Sequence, residues 1–182
     1  GSRGVLVPPW LYEGGPAITA EAQSPYTNVY PVGTNGVSLS GGGEVCSLGQ
    51  ALHPPRTGGA PGTLHASFDF RLARTDPAAG AGAESAGGSW RFFLGHEAGG
   101  SGRSAAVEAF IGARSFAVWS GGAVEAVRVL EPGVWYHVQL ACDLRGRRFS
   151  GTIGVPGDVT AFDGKVIAAD WGGTIDRIRI DG

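Results

Sequence analysis

An all-β fold, two antiparallel sheets stacked as a sandwich, is what this sequence predicts, on three observations. With 33 Gly and 11 Pro among 182 residues, turn formers interrupt the chain too often for a helical bundle, because Gly costs backbone entropy in a helix and Pro removes a helical donor. Apolar and polar residues alternate with a period of two in run after run, the pattern of a strand with one buried and one exposed face. The runs are short, about ten to twelve of them, and turn residues separate them, as expected of an antiparallel sandwich.

Taken in order, the first third, Arg3 to Gly62, is weakly patterned, and within it Ser40–Gly43 and His53–Gly62 read as loops because Gly and Pro crowd them. The clearest strand follows. Leu64, Phe68, Phe70 and Leu72 share one face, while His65, Ser67, Asp69 and Arg71 share the other. Ala73–Ser89 carries Pro77 and much Gly, Ala and Ser, so it reads as a long surface excursion with little to bury. Trp90–Leu94 and Val107–Ile111 are the next strands, the latter placing Val107, Ala109 and Ile111 around Glu108 and Phe110. Phe116–Trp119 and Val124–Val129 flank Ser120-Gly121-Gly122, a hairpin connection. The longest run, Val134–Cys142, sets Tyr136, Val138, Leu140 and Cys142 against Trp135, His137, Gln139 and Ala141, then turns at Asp143–Gly146 into Arg147–Val155. The last run, Thr174–Ile180, puts Ile178 and Ile180 on one face with Asp176, opposite Arg177 and Arg179.

A chain of this length suits one core, so residues 3–182 are expected to form a single domain, with Gly1-Ser2 a cloning remnant. The formal charge is −2 and charged residues make up 16%, which leaves no basic surface for nucleic acid or for anionic membrane. No apolar run reaches the roughly 18 residues of a membrane span. Cys46 and Cys142 lie far outside metal-ligand spacing. They form one disulfide or remain two buried thiols, and spacing alone leaves both open. Lys165 is the only lysine among 14 basic residues, and with abundant Ala and Gly this points to a GC-rich bacterial gene.

The stretch Pro132-Gly133-Val134-Trp135-Tyr136-His137-Val138-Gln139-Leu140, the turn Asp143-Leu144-Arg145-Gly146 and the strand Arg147–Gly154 resemble the central hairpin of laminin G-like and concanavalin A-like jelly rolls. The closing Ile175-Asp176-Arg177-Ile178-Arg179-Ile180-Asp181 is similar to the last strand of such domains. The resemblance covers Leu64 to Gly182, most strongly in its last third. It implies a two-sheet jelly roll with the N-terminal strand near the C-terminal one. One such fold hosts unrelated activities.

No catalytic motif is present. The resemblance brings with it a Glu-x-Asp-x-x-Glu strand in the β-glucan-cleaving relatives, and none of the eight Glu residues here is followed two positions later by Asp. The Gln-aliphatic-His strand of the alginate-lyase relatives is absent too. His96-Glu97 lacks the second histidine of a zinc-protease helix. His65 and His137 lie mid-strand, and an acid–base couple with Asp69 or Glu108 would require an adjacency that sequence does not establish.

Binding is the expectation instead. If Tyr136, Val138 and Leu140 face inward, Trp135, His137 and Gln139 face outward, where an outer sheet face can form a groove. Sugar rings stack their C–H faces on aromatic rings and hydrogen-bond through hydroxyls to amide, imidazole, guanidinium and carboxylate groups. Trp119, His137, Gln139, Arg91 and Glu108 supply that inventory and are the candidate ligand-binding residues. Trp10, Tyr12, Tyr26, Tyr30 and Trp171 fill gaps under loops or offer a second platform. No cofactor is expected. Oxygen-rich loops at Asp158, Asp163 and Asp170 could hold a structural calcium, as related folds do. The first expectation is thus a noncatalytic carbohydrate-binding module of an extracellular bacterial protein, secreted or at the cell surface, with a glycan or polysaccharide as partner alongside other domains of its own chain. The alternatives are a protein-interaction or architectural jelly roll, and an atypical glycoside hydrolase or polysaccharide lyase.

Overall fold

The computed structural model describes residues 5–13, 17–19, 36–38, 47–59, 61–72, 90–96 and 105–182, the three segments before residue 47 as backbone strands. Thirteen strands lie among them: β1 Val5–Glu13, β2 Ala17–Thr19, β3 Gly36–Ser38, β4 Ser47–Thr57, β5 Thr63–Arg71, β6 Trp90–Gly95, β7 Ala105–Ile111, β8 Ser115–Ser120, β9 Ala123–Val129, β10 Trp135–Asp143, β11 Arg148–Val155, β12 Asp158–Val166 and β13 Thr174–Asp181. They build a seven-stranded sheet in the order β1-β4-β13-β6-β7-β8-β9, a four-stranded sheet in the order β12-β11-β10-β5, and the small β2-β3 pair. Among the described residues the strand pairings are antiparallel throughout. Both β1 and β13 pair with β4, so the first and last strands sit one strand apart, as the resemblance implies.

The core fills the space between the sheets. From the four-stranded sheet, Tyr136, Val138, Leu140 and Cys142 of β10 are all buried, and Leu64, Ala66, Phe68 and Phe70 of β5 pack beside them. Phe92, Leu94, Val107, Ala109, Ile111, Phe116 and Val118 meet them from the seven-stranded sheet. Each fully buried large side chain contributes about 1.5–3 kcal/mol by leaving water. Tyr136 buries its hydroxyl, which accepts a hydrogen bond from the Glu131 amide at 2.8 Å. The inward and outward faces of β5 and β10 are those the alternation predicts.

Turn chemistry matches the sequence where Gly is required. Gly121 and Gly122 link β8 to β9 with φ of 59° and 104°, a two-residue turn whose positive φ values suit the twist of a hairpin. At Gly154, opposite His137 in the β10–β11 register, a Cβ would collide with the Asp158 carbonyl of the neighbouring strand. β9 and β12, the outer strands of the two sheets, are tied together. Arg128 reaches Asp158 and Thr160, Lys165 reaches Glu125, and Ser120 Oγ accepts from the Val166 amide. Arg147 donates to the carbonyls of Ala168, Ala169 and Trp171 and lies over the Trp171 ring, pinning the segment between β12 and β13.

Two sequence expectations need correction. His53–Gly62 is not all loop, since β4 runs to Thr57, and its prolines fall where the β4–β13 register slips between Ile175 and Arg177, leaving the missing Pro N–H groups outside the ladder. In β13, Ile178 and Ile180 pack on the core as expected and Ile175 is buried as well, while Asp176 Oδ2 lies 2.7 Å from His96 Nδ1 at the neighbouring strand's end. Trp10 and Tyr12 lie on a strand, β1, despite the weak pattern there. Trp171 does fill a gap under a loop, 4% exposed with Nε1 donating to the Thr174 carbonyl. Ser40–Gly43, Ala73–Ser89, Tyr26, Tyr30 and Cys46 lie outside the described residues. Cys142 is a buried free thiol. Among the described residues no helix is long and apolar enough to cross a membrane.

Candidate functional site

The outward face of the four-stranded sheet is built by β5 and β10, whose register pairs Trp135 with Arg71, His137 with Asp69, Gln139 with Ser67 and Ala141 with His65. Alternation alone sends these eight side chains to one side, because their neighbours are the apolar residues that fill the core. β11 flanks them with Gly154 opposite His137, Thr152 opposite Gln139 and Ser150 opposite Ala141. At the centre, His137 Nδ1 lies 2.5 Å from Asp69 Oδ1, and His137 Nε2 lies 3.0 Å from Gln139 Nε2. Asp69 is largely buried at 10% side-chain exposure and His137 is at 24%, while Gln139, Ser67, His65 and Arg71 are exposed. Next along, the Arg71 guanidinium lies over the Trp135 ring, 5.4 Å from its centroid, a cation–π contact that orients the indole.

His137 and Gln139 are therefore together, as the sequence suggests, but the other three candidates are not with them. Arg91, Glu108 and Trp119 lie on β6, β7 and β8 of the opposite sheet. Phe68 and Phe92 stack between the layers, so Arg91 and Glu108 point away from the core on the far side, about 10 Å of sheet packing removed. A single groove holding all five does not exist. Arg91 grips Asp181 through Nε and Nη2, both at 2.9 Å, and reaches Glu108 through Nη1 at 3.0 Å. Hydrogen bonding to Asp181 raises the Arg91 pKa. Glu108 is 5% exposed, and burial holds its carboxyl above the ordinary range even though Arg91 pulls it down. Arg91, Glu108 and Asp181 thus tie β6, β7 and β13 together. Trp119, half-buried, shares their face.

Asp69, Arg71 and Trp135 join the candidate site although none is among the five candidate ligand-binding residues; the adjacency of His137 and Asp69 that sequence does not establish is a cross-strand pair. The alternation of β5 and β10 already turns all three outward; what it lacks is the pairing of strands more than sixty residues apart. Of the calcium candidates, Asp158 is engaged by Arg128, whose hydrogen bond lowers its pKa, and Asp163 caps the Gly164 amide. Among the described residues no group of three His, Cys, Asp or Glu side chains could hold a metal ion.

The arrangement offers an aromatic plate, an imidazole, an amide, hydroxyls and a guanidinium on a sheet face, and among the described residues the positions opposite and next to Asp69 on that face of β5 and β10 hold no second carboxylate. No protein-family model and no curated protein matches the sequence. Among solved structures, the chain is similar over its whole length to 90% of a peanut lectin solved with a 9mer peptide, PVIWSSATG, at 16% identity and a TM-score of 0.52. Three-quarters of it, 75%, is similar to part of a sialidase at 18% identity and a TM-score of 0.50, spanning 10% of that protein's length. The fold is thus a concanavalin A-like, lectin-type jelly roll. At these identities the likeness concerns architecture alone.

Proposed function

We propose that this chain is a noncatalytic carbohydrate-binding module of an extracellular bacterial protein, holding a glycan or polysaccharide near the other domains of its chain. The observation that carries the reading is the Asp69–His137–Gln139 cluster beside the Arg71-backed Trp135 ring on one sheet face. The ring offers a plate for a sugar's C–H face, and the polar groups follow it along the same face, two and four residues on in β10, to take hydroxyls. Tethering raises the local concentration of substrate for a catalytic neighbour without any chemistry in the module itself. The lectin-type fold agrees with this reading.

A broad glycan array probed with the intact protein tests it. Binding to a defined set of glycans, lost on Trp135→Ala, is the expected result. A blank array would reject the carbohydrate reading in favour of a protein-interaction domain, and reducing sugar or unsaturated product released from the bound glycans would make the protein an enzyme.

A further inference from the structure

We infer that Asp69 is a positioning residue that sets the hydrogen-bonding polarity of the outer face: through His137 it turns the Gln139 amide so that its carbonyl oxygen faces outward, which selects ligands that bring hydrogen-bond donors. The wiring stands on atom positions alone, and only the choice of a sugar as the donor-bearing ligand rests on the reading above.

An ionised carboxylate only accepts hydrogen bonds. With Asp69 Oδ1 2.5 Å from His137 Nδ1, the imidazole proton belongs on Nδ1. A neutral imidazole carries one N–H, so Nε2 is left as an acceptor. The atom facing Nε2 at 3.0 Å is Gln139 Nε2, which only donates. Donation therefore runs from Gln139 to His137 to Asp69. The reversed amide would set the Gln139 carbonyl lone pairs against those of Nε2. Its carbonyl oxygen is consequently directed away from the imidazole on an exposed side chain, with Ser67 opposite on β5 and Thr152 opposite on β11.

The register makes this wiring possible. His137 and Asp69 are a directly opposed cross-strand pair, and Gln139 is the next residue of β10 on the same face. Asp69 is too buried to serve as a main ligand contact, so its effect travels through His137. A ligand offering only acceptors would oppose the Gln139 carbonyl and leave it unmatched, whereas a hydroxyl donates to it; sites built around such bonds discriminate strongly against partners that cannot make them.

Nuclear magnetic resonance of protein carrying ¹⁵N in its His and Gln side chains decides the wiring without any ligand. The measurement is made in mildly alkaline buffer, at about pH 8.5. The expected wild-type spectrum has the His137 proton on Nδ1 and a coupling across the hydrogen bond between the Nε2 nuclei of Gln139 and His137. Asp69→Leu is expected to move the proton to Nε2 and abolish the coupling. A wild-type proton on Nε2, or an Asp69→Leu spectrum identical to wild type, overturns the inference; the wild-type arm decides even where the variant fails to fold. On the glycan array, folded Asp69→Leu is expected to lose about tenfold in affinity for hydroxyl-bearing glycans, equivalent to about 1.4 kcal/mol, and unchanged affinity would overturn the positioning role. A blank wild-type array overturns the sugar as ligand and leaves the tautomer measurement to decide the wiring by itself.

Discussion

Phe68 and Phe92 stack across the gap between the two sheets, their ring centroids 4.3 Å apart and their planes 17° from parallel. One comes from the β5 edge of the four-stranded sheet and the other from the middle of the seven-stranded sheet, so the pair fixes the position of the strand that carries Asp69. Phe92 is 1% exposed. Phe92→Ala is expected to destabilise the protein by about 3–5 kcal/mol, the usual cost of deleting a buried aromatic ring, read as a shift of the urea unfolding midpoint. It should also weaken whatever binds the outer face. A loss below about 1 kcal/mol would mean that the interlayer is not packed around this pair.

The two tryptophans on opposite sides of the sandwich separate the two possible ligand faces. Trp135→Ala should weaken glycan binding about ten- to hundredfold, or about 1.4–2.8 kcal/mol, because the ring with Arg71 behind it is the only large aromatic plate beside His137 among the described residues. Trp119→Ala, on the far sheet, should leave affinity unchanged. Calorimetric titration of both variants with the best glycan of the array checks the pair, and the opposite pattern would move the site to the seven-stranded sheet.

Two carboxylates should shape stability against pH in opposite senses. Hydrogen bonding from Arg128 holds the Asp158 carboxyl below its ordinary range, so the folded state prefers it ionised. Its stabilising contribution is present above the unfolded pKa and disappears as pH falls through the lowered folded value. Asp158→Asn should therefore be less stable than wild type at neutral pH, with the difference closing in acid. Glu108 behaves in reverse. Burial raises its pKa, so its favourable contribution is complete below the unfolded value and is lost as pH rises through the folded one. Relative to Glu108→Gln, the wild type should gain stability on acidification across that window. Thermal unfolding of both variants over a pH series reads the two slopes, and slopes of the same sign would contradict the environments described.

Cys142 should be chemically silent while the protein is folded. It faces the core from β10 and is 0% exposed, and desolvation pushes its thiol up to about 12, so almost no thiolate exists at neutral pH. Iodoacetamide at about pH 8 should leave Cys142 unmodified in native protein and label it fully in urea, as peptide mass mapping would show. Rapid native labelling at that position would mean that the β10–β5 half of the sandwich opens readily.

Much of the fold was legible because strand alternation is a local property. Tyr136, Val138, Leu140 and Cys142 repeat at every second position, and the apolar face they form has no other place to go than between two sheets. β13 is less legible for an equally local reason: Ile175 is buried one position out of step with Ile178 and Ile180, where the β4–β13 register shifts, and nothing in the side chains announces it. β4 was obscured by Pro54 and Pro55, which normally argue against a strand.

The sequence by itself determined that His137 and Gln139 stand together on an outward face, because two residues on one strand with even spacing share a side whatever the strand pairs with. Only the tertiary structure decided who joins them. Strand pairing is nonlocal, so it took the folded chain to set β5 beside β10, bringing Asp69 and Arg71 to the site, and to place β6, β7 and β8 in the other sheet, carrying Arg91, Glu108 and Trp119 to the far side of the core.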